Sequence, residues 1–106
     1  MDRFSGKVAI VTGGGNGIGA AIVERLSREG ASVVIVDREE DAAQEIAKKT
    51  GGTALGGDVS DPQAALNAVK TAVLKYGKLN IVICNAGITD RSPFLEMTPE
   101  FFERVI

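Results

Sequence analysis

The sequence holds no histidine and a single cysteine, Cys84. Without histidine, Ser-His-Asp and Cys-His nucleophile systems are excluded. One cysteine allows neither an internal disulfide nor a cysteine-rich metal site. Long apolar runs are missing too. The longest are four residues, against the ~20 that a membrane-spanning helix needs. Met1 to Lys7 carry no apolar signal-peptide core. Low-complexity tracts, linkers and short-period repeats are absent. Neither sign of charge dominates: 12 Lys and Arg stand against 14 Asp and Glu, a net charge of −2. Such mild acidity argues against attraction to nucleic acid or anionic lipid. The expectation is a soluble protein in the reducing cytoplasm, with no membrane, nucleic-acid or metal partner.

Glycine is what the sequence has in excess, 13 in 106 residues. Otherwise, 44% apolar and 25% charged residues make an ordinary globular composition. A chain this long buries about 60–70% of its unfolded surface, enough for one modest core. Residues 1–106 are expected to form one domain.

Two hydrophobic periods alternate along the chain. Val8-Ala9-Ile10-Val11 is a β-branched run of the kind buried on both faces of a sheet. A loop over Gly13–Gly19 follows. Ile18, Ile22 and Leu26 then recur at spacing four, predicting a helix that stops at Gly30. Val33-Val34-Ile35-Val36 is a second buried strand ending at Asp37. Asp41 to Lys49 reads as a polar helix burying Ile46 and alanines, closed by Gly51-Gly52. Thr53 to Val59 is a third, weak strand. Ser60 or Asp61 caps the next helix and Pro62 suits its first turn. Leu66, Val69, Val73 and Tyr76 form its predicted inner stripe, and Gly77 stops it. Tyr76 is therefore expected in the core. Leu79 to Cys84 is the fourth strand. Thr98 and Pro99 open a last helix with Phe101, Phe102, Val105 and Ile106.

The order is β-α-β-α-β-α-β-α. Strands separated by helix-length segments pair in parallel, because parallel pairing needs a crossover. Right-handed crossovers put helices on both faces. An α/β fold follows, a doubly wound parallel sheet of strand order 3-2-1-4. Its site is expected at the carboxyl ends of the strands. The glycine cluster, Asp37, Asp58 and Asn85-Ala86-Gly87 all fall there.

The cluster reads Thr12-Gly13-Gly14-Gly15-Asn16-Gly17-Ile18-Gly19. It follows a strand and opens a helix, the setting in which such a pattern binds phosphate. Glycine turns the chain at positive φ and lets a pyrophosphate approach the backbone. The free N–H groups and positive dipole end of the helix then face the phosphates. Gly19 lets the helix pack close to the strand. A tight turn with no ligand is the competing reading. Five glycines in seven residues lose more backbone entropy than a mere turn requires.

The pattern T-G-x-x-x-G-I-G, on Thr12, Gly13, Gly17, Ile18 and Gly19, resembles the signature of short-chain dehydrogenases/reductases. Lys7 to Gly13 resembles that family's first strand. Asp58-Val59 resembles its adenine-contacting pair, and Asn85-Ala86-Gly87 its N-A-G motif. Cys84 departs from the pattern, standing where many members carry a second Asn; it reads as a small buried apolar residue. Asn16 points to the common branch, since the extended branch has glycine there.

The resemblance implies a Rossmann-like fold with an NAD(P) crevice between strands one and four. Thr12, Gly13, Gly15, Asn16, Gly17, Ile18, Gly19, Asp37, Arg38, Asp58, Val59, Asn85, Ala86 and Gly87 are its candidate residues. Asp37 lies 18 residues past Gly19, where a carboxylate can accept the adenosine ribose hydroxyls. A 2′-phosphate there faces a like charge, a cost on the order of a hundredfold in affinity. NAD is thus expected over NADP. Asn16 agrees, since NADP-preferring relatives often carry a basic residue there. Arg38 dissents, because a guanidinium tolerates the phosphate. Asp37 can instead cap the second helix. Asp58 reads either as acceptor for the adenine amino group or as a capping carboxylate. Thr12 can tie the glycine loop to the loop after strand four, and Asn85 can brace the strand ends. Ala86 and Gly87 leave room for the nicotinamide-side ribose. Gly56-Gly57 relieve crowding, and Asp90, Arg91 and Ser92 read as solvated loop.

Members of the family move a hydride between the nicotinamide and an alcohol or ketone. They use an Asn, a Ser, and a Tyr with a Lys four residues later; the Tyr is the acid/base. Here the one tyrosine, Tyr76, is followed four residues on by Asn80. No catalytic residue is therefore assigned. The expectation is the first half of a family member, inactive alone, whose fourth strand becomes an exposed edge and which self-associates through that strand or the last helix. An alcohol or ketone enters only with a full-length form. Two other readings remain: a non-catalytic NAD-binding or self-assembling module, and an S-adenosylmethionine methyltransferase. The latter usually wants an acidic residue at the end of strand one, and Lys7 to Thr12 has none.

Overall fold

The apolar run at the start of the chain forms β1 (Val8–Thr12), buried at all five positions. In the computed structural model, which describes residues 3–58 and 60–85, six further elements follow. They are α1 (Gly17–Arg28), β2 (Ser32–Asp37), α2 (Glu40–Thr50), β3 (Thr53–Gly56), α3 (Pro62–Tyr76) and β4 (Ile81–Cys84). The strands lie in the order β3-β2-β1-β4. Every pairing is parallel, with Ile10 opposite Val34 on one side and Val82 on the other. This is the Rossmann-like order read from the sequence. The last helix, from Thr98 to Ile106, lies outside the described residues. So do Val59, Ala86, Gly87, Asp90, Arg91 and Ser92.

Alternation along the central strands divides the core in two. Val8, Ile10, Val34 and Val36 pack with Ala65, Ala68, Val69 and Ala72 of α3. Ala9, Val11, Val33 and Ile35 pack with Val23 and Leu26 of α1 and Ala43, Ile46 and Ala47 of α2. Both faces of the central strands are thus dry, as their unbroken apolar runs require. Among the described residues, no helix is long and apolar enough to cross a membrane.

Several local expectations change. α1 begins at Gly17, inside the stretch read as loop, and its buried line is Gly19, Val23 and Leu26. Ile18 is 74% exposed. A spacing of four advances 400°, so a stripe through 18, 22 and 26 drifts around the helix. Seating Gly19 on the sheet turns Ile18 outward. In α3 the inner face is mostly alanine, and Leu66 is no part of the core cluster. Alanines bring the helix axis close to the sheet, leaving larger residues at the flanks. Val73 and Tyr76 pack there, and the Tyr76 hydroxyl bonds Thr53 Oγ1 at 2.8 Å.

β3 stops at Gly56, three residues short of the predicted end. The Gly57 N–H there bonds the Asp37 carbonyl at 3.1 Å as the chain leaves the sheet. β4 starts at Ile81 rather than Leu79. Asn80 explains this, since its side-chain Oδ1 takes the Val8 N–H at 2.9 Å in place of a strand carbonyl. Of the two proposed caps, Asp61 is used. Its Oδ1 accepts the Gln63 N–H at 2.9 Å, with Pro62 in the first turn. Gly51 and Gly77 end α2 and α3 in left-handed conformation, as expected.

Candidate functional site

The carboxyl ends of β1, β2 and β4 meet around the glycine loop. Thr12, fully buried, ends β1, and its Oγ1 accepts the Asn85 N–H at 3.0 Å. Asn85 follows β4, and its Nδ2 approaches the Gly13 carbonyl at 3.5 Å. The Gly13 N–H reaches across to the Val36 carbonyl at 2.7 Å. A Cβ on Gly19 would overlap that same Gly13 carbonyl oxygen. Glycine at 19 therefore lets α1 start directly against the loop.

Asp37 closes the other side. It is 9% exposed, at the end of β2. Its Oδ2 accepts the Gly15 N–H at 3.0 Å. Its Oδ1 accepts the Glu39 N–H at 2.9 Å, ahead of α2. A Cβ on Gly15 would lie 2.8 Å from Ala42 Cβ, 2.9 Å from Ala43 N and 2.9 Å from Asp37 Oδ2. Loop, strand end and second helix are packed together at this point.

The start of α1 is left open. Asn16, exposed and extended, is its N-cap, but makes no side-chain cap bond. The first turn carries no acidic residue, while Arg25 and Arg28 lie in the last turn. The free N–H groups and the dipole therefore face outward unneutralised, a setting that suits an anion. Gly17, at φ +55°, and Ile18 stand exposed at this rim.

Arg38 and Asp58 lie apart from this network, and both are exposed. Gly56 pairs in register with Asp37, which brings Asp58 to the neighbouring strand end. Asp58 Oδ1 accepts the Ser60 hydroxyl at 2.7 Å and the Ser60 N–H at 2.9 Å. Those bonds, the hydroxyl's first, hold its carboxyl below the ordinary value; desolvation opposes them, and the Arg38 charge adds the smallest lowering. Asp58 thus organises the turn before the Asp61 cap. Val59, Ala86 and Gly87 lie outside the described residues.

The structure brings Thr12, Gly13, Gly15, Gly19, Asp37 and Asn85 together around the loop; the sequence reading missed two relations among its neighbours. One is the Asp37–Gly15 bond. The other is Ala42, which Gly15 approaches too closely for any larger side chain. The Ala42-Ala43 pair in the first turn of an otherwise polar helix was the available signal.

The chain matches the short chain dehydrogenase family over residues 7–106. It is 48% identical over 90 residues to tropinone reductase-like 2 of Erythroxylum coca, covering 83% of this chain and 33% of that protein. Short-chain dehydrogenase reductase 3a of Arabidopsis thaliana is 41% identical over 108 residues, covering 98% of this chain and 42% of that one. Among solved structures, a 3-ketoacyl-(acyl-carrier-protein) reductase from Brucella melitensis, complexed with NADH, superposes with a TM-score of 0.78. It is 36% identical, over 97% of this chain and 43% of its own. The chain thus spans about a third to two-fifths of the length of the curated relatives it matches.

Proposed function

The chain belongs to the short-chain dehydrogenase family, and we propose that its 106 residues form the dinucleotide-binding domain of an NAD-linked oxidoreductase. The observation that carries this reading is the loop itself. A helix start with no cap bond and no acidic neighbour sits beside a buried carboxylate at the next strand end. The first suits a pyrophosphate and the second a ribose. The NADH complex of the Brucella reductase, at 36% identity, supports the same assignment.

In this reading Gly13, Gly15, Asn16, Gly17, Ile18 and Gly19 hold the pyrophosphate side. Asp37 accepts the ribose hydroxyls, and Arg38 flanks it. Asp58 and Val59 serve the adenine, and Thr12, Asn85, Ala86 and Gly87 the nicotinamide side. NAD is preferred over NADP because a 2′-phosphate would meet the like charge of the buried Asp37 carboxylate. A bound nicotinamide supplies the hydride donor or acceptor. The chain's own groups orient it and keep the loop rigid. Oxidation or reduction of an alcohol or ketone belongs to the whole protein. The one tyrosine here, Tyr76, is taken up by Thr53 and the core, so we expect no hydride transfer from these residues alone. β4, at the end of the described sheet, is the edge through which we expect self-association.

Titration calorimetry with NAD and NADP tests this. NAD is expected to bind at least about tenfold tighter than NADP. Asp37→Ala should weaken NAD more than NADP. Absence of both heat and a thermal shift with millimolar NAD or AMP would overturn the reading.

A further inference from the structure

Asp37 is committed before any ligand arrives. Both of its oxygens already accept backbone N–H groups, from Gly15 and Glu39. The bond to Gly15 spans 22 residues and is buried. We propose that Asp37 is a positioning residue for the glycine loop, so that one carboxylate sets the shape of the phosphate cradle as well as receiving the ribose. This deepens the dinucleotide reading and rests on it.

The geometry supports two simultaneous duties. An ionised carboxylate offers about four lone-pair sites. Two are used by Gly15 and Glu39, which leaves two for hydroxyl donors. A ribose can therefore bind without releasing the loop. The loop has little freedom of its own at this point. Ala42 and Ala43 block the Gly15 position from the α2 side, so the Asp37 bond is what seats the loop against them. If it is removed, a buried N–H is left without its acceptor, and the loop must swing outward to find water.

Residue chemistry at position 37 then becomes narrow. Asparagine has one carbonyl oxygen, and its amide group would point N–H at N–H toward one of the two donors. It can keep Gly15 or Glu39 but not both. Glutamate keeps the charge, but its extra methylene carries the carboxylate off the two amides. A residue chosen only to meet the ribose would tolerate such changes better. The consequence is that position 37 governs binding of the part NAD and NADP share, not only the part in which they differ.

The discriminating probe is 2′,3′-dideoxy-ADP, which keeps the diphosphate and lacks both ribose hydroxyls. Calorimetry would compare it with ADP on the unaltered chain, Asp37→Asn and Asp37→Glu. Amide hydrogen exchange at Gly15 would be followed in the same three proteins without ligand. Gly15 is expected to exchange at least about tenfold faster in both variants. Dideoxy-ADP is expected to bind roughly tenfold weaker to Asp37→Glu, where the charge facing the diphosphate is unchanged. Should Asp37→Asn fail to fold, Asp37→Glu decides alone. Equal Gly15 protection in all three proteins, or equal dideoxy-ADP affinity for the unaltered chain and Asp37→Glu, would overturn the positioning role. If the unaltered chain bound neither ADP nor NAD, the dinucleotide reading would fall instead. Gly15 exchange would then decide alone whether Asp37 sets the loop.

Discussion

Two loops leave the same edge of the sheet and are held by opposite means. The loop between β1 and α1 is shaped from a distance. Asp37 holds Gly15 across 22 residues, and Asn85 reaches Thr12 and Gly13 across 73 and 72. Past the Gly57 bond to the Asp37 carbonyl, the loop between β3 and α3 is held by its own short-range turns. Asp58 binds Ser60, and Asp61 binds Gln63, each two residues on. The first loop takes its form only when three strand ends are in place, and it is largely buried. The second can form its turns locally and stands exposed. A cradle meant to hold a ligand's charged centre benefits from the first kind of support, because rigid neighbours fix the donors before binding. A loop that only has to start a helix does well with the second.

The contrast breaks most severely at Gly19. In Gly19→Ala the new Cβ collides with the Gly13 carbonyl oxygen and lies 2.8 Å from Asn85 Nδ2. Backbone rather than a flexible side chain must give way. Overpacking of this kind costs about 3 kcal/mol or more, so Tm should fall by more than about 10 °C. Thermal unfolding checks it. A Tm within about 2 °C of the unaltered chain would show that the loop adjusts freely and is not held from a distance.

A smaller cut falls at Thr12. Thr12→Val keeps the shape but removes the Oγ1 that accepts the Asn85 N–H. The expected loss is about 1–2 kcal/mol in urea unfolding, the cost of one part-buried donor left without its acceptor. Asn85 should also exchange its amide faster, while Ser60, in the self-contained loop, should not. Equal acceleration at both would erase the distinction between the two loops.

The same division explains what was legible in the sequence. Features that depend on local chemistry read directly. The β-branched strands, the glycine ends of α2 and α3, and the Asp61-Pro62 start are of this kind. Strand order followed from the crossovers, because parallel pairing leaves few alternatives. The family pattern around Thr12, Gly19 and Asn85 marked the candidate site. What failed depended on tertiary approach. Ile18 read as part of an apolar helical stripe from its spacing, but the close contact between Gly19 and Gly13 rotates α1 and exposes it. Alanines at 65, 68 and 72 carry no strong hydrophobic signal, yet they set how near α3 lies to the sheet. The bond from Asp37 to Gly15 joins two recognised features that no spacing rule connects.

The self-contained loop offers the smallest effect and a clean sign. Asp58 has its carboxyl held below the ordinary value, first by the Ser60 bonds and then by Arg38. A depressed folded-state value means that the folded chain takes up a proton less readily than the unfolded one. Its stabilisation is therefore fully present above the unfolded value, about 3.9, and is lost as pH falls through the lower folded value. Asp58→Asn keeps an oxygen for Ser60 but has no charge to titrate. The stability difference between the two proteins should be steady above about pH 5 and shrink below about pH 4. Because Asp58 is exposed, added salt should reduce the part that comes from Arg38. Denaturant unfolding between pH 2.5 and 7 at two salt concentrations measures both trends. A difference that grows as pH falls would reverse the sign of Asp58's contribution, and with it the idea that this loop is secured by its own carboxylate.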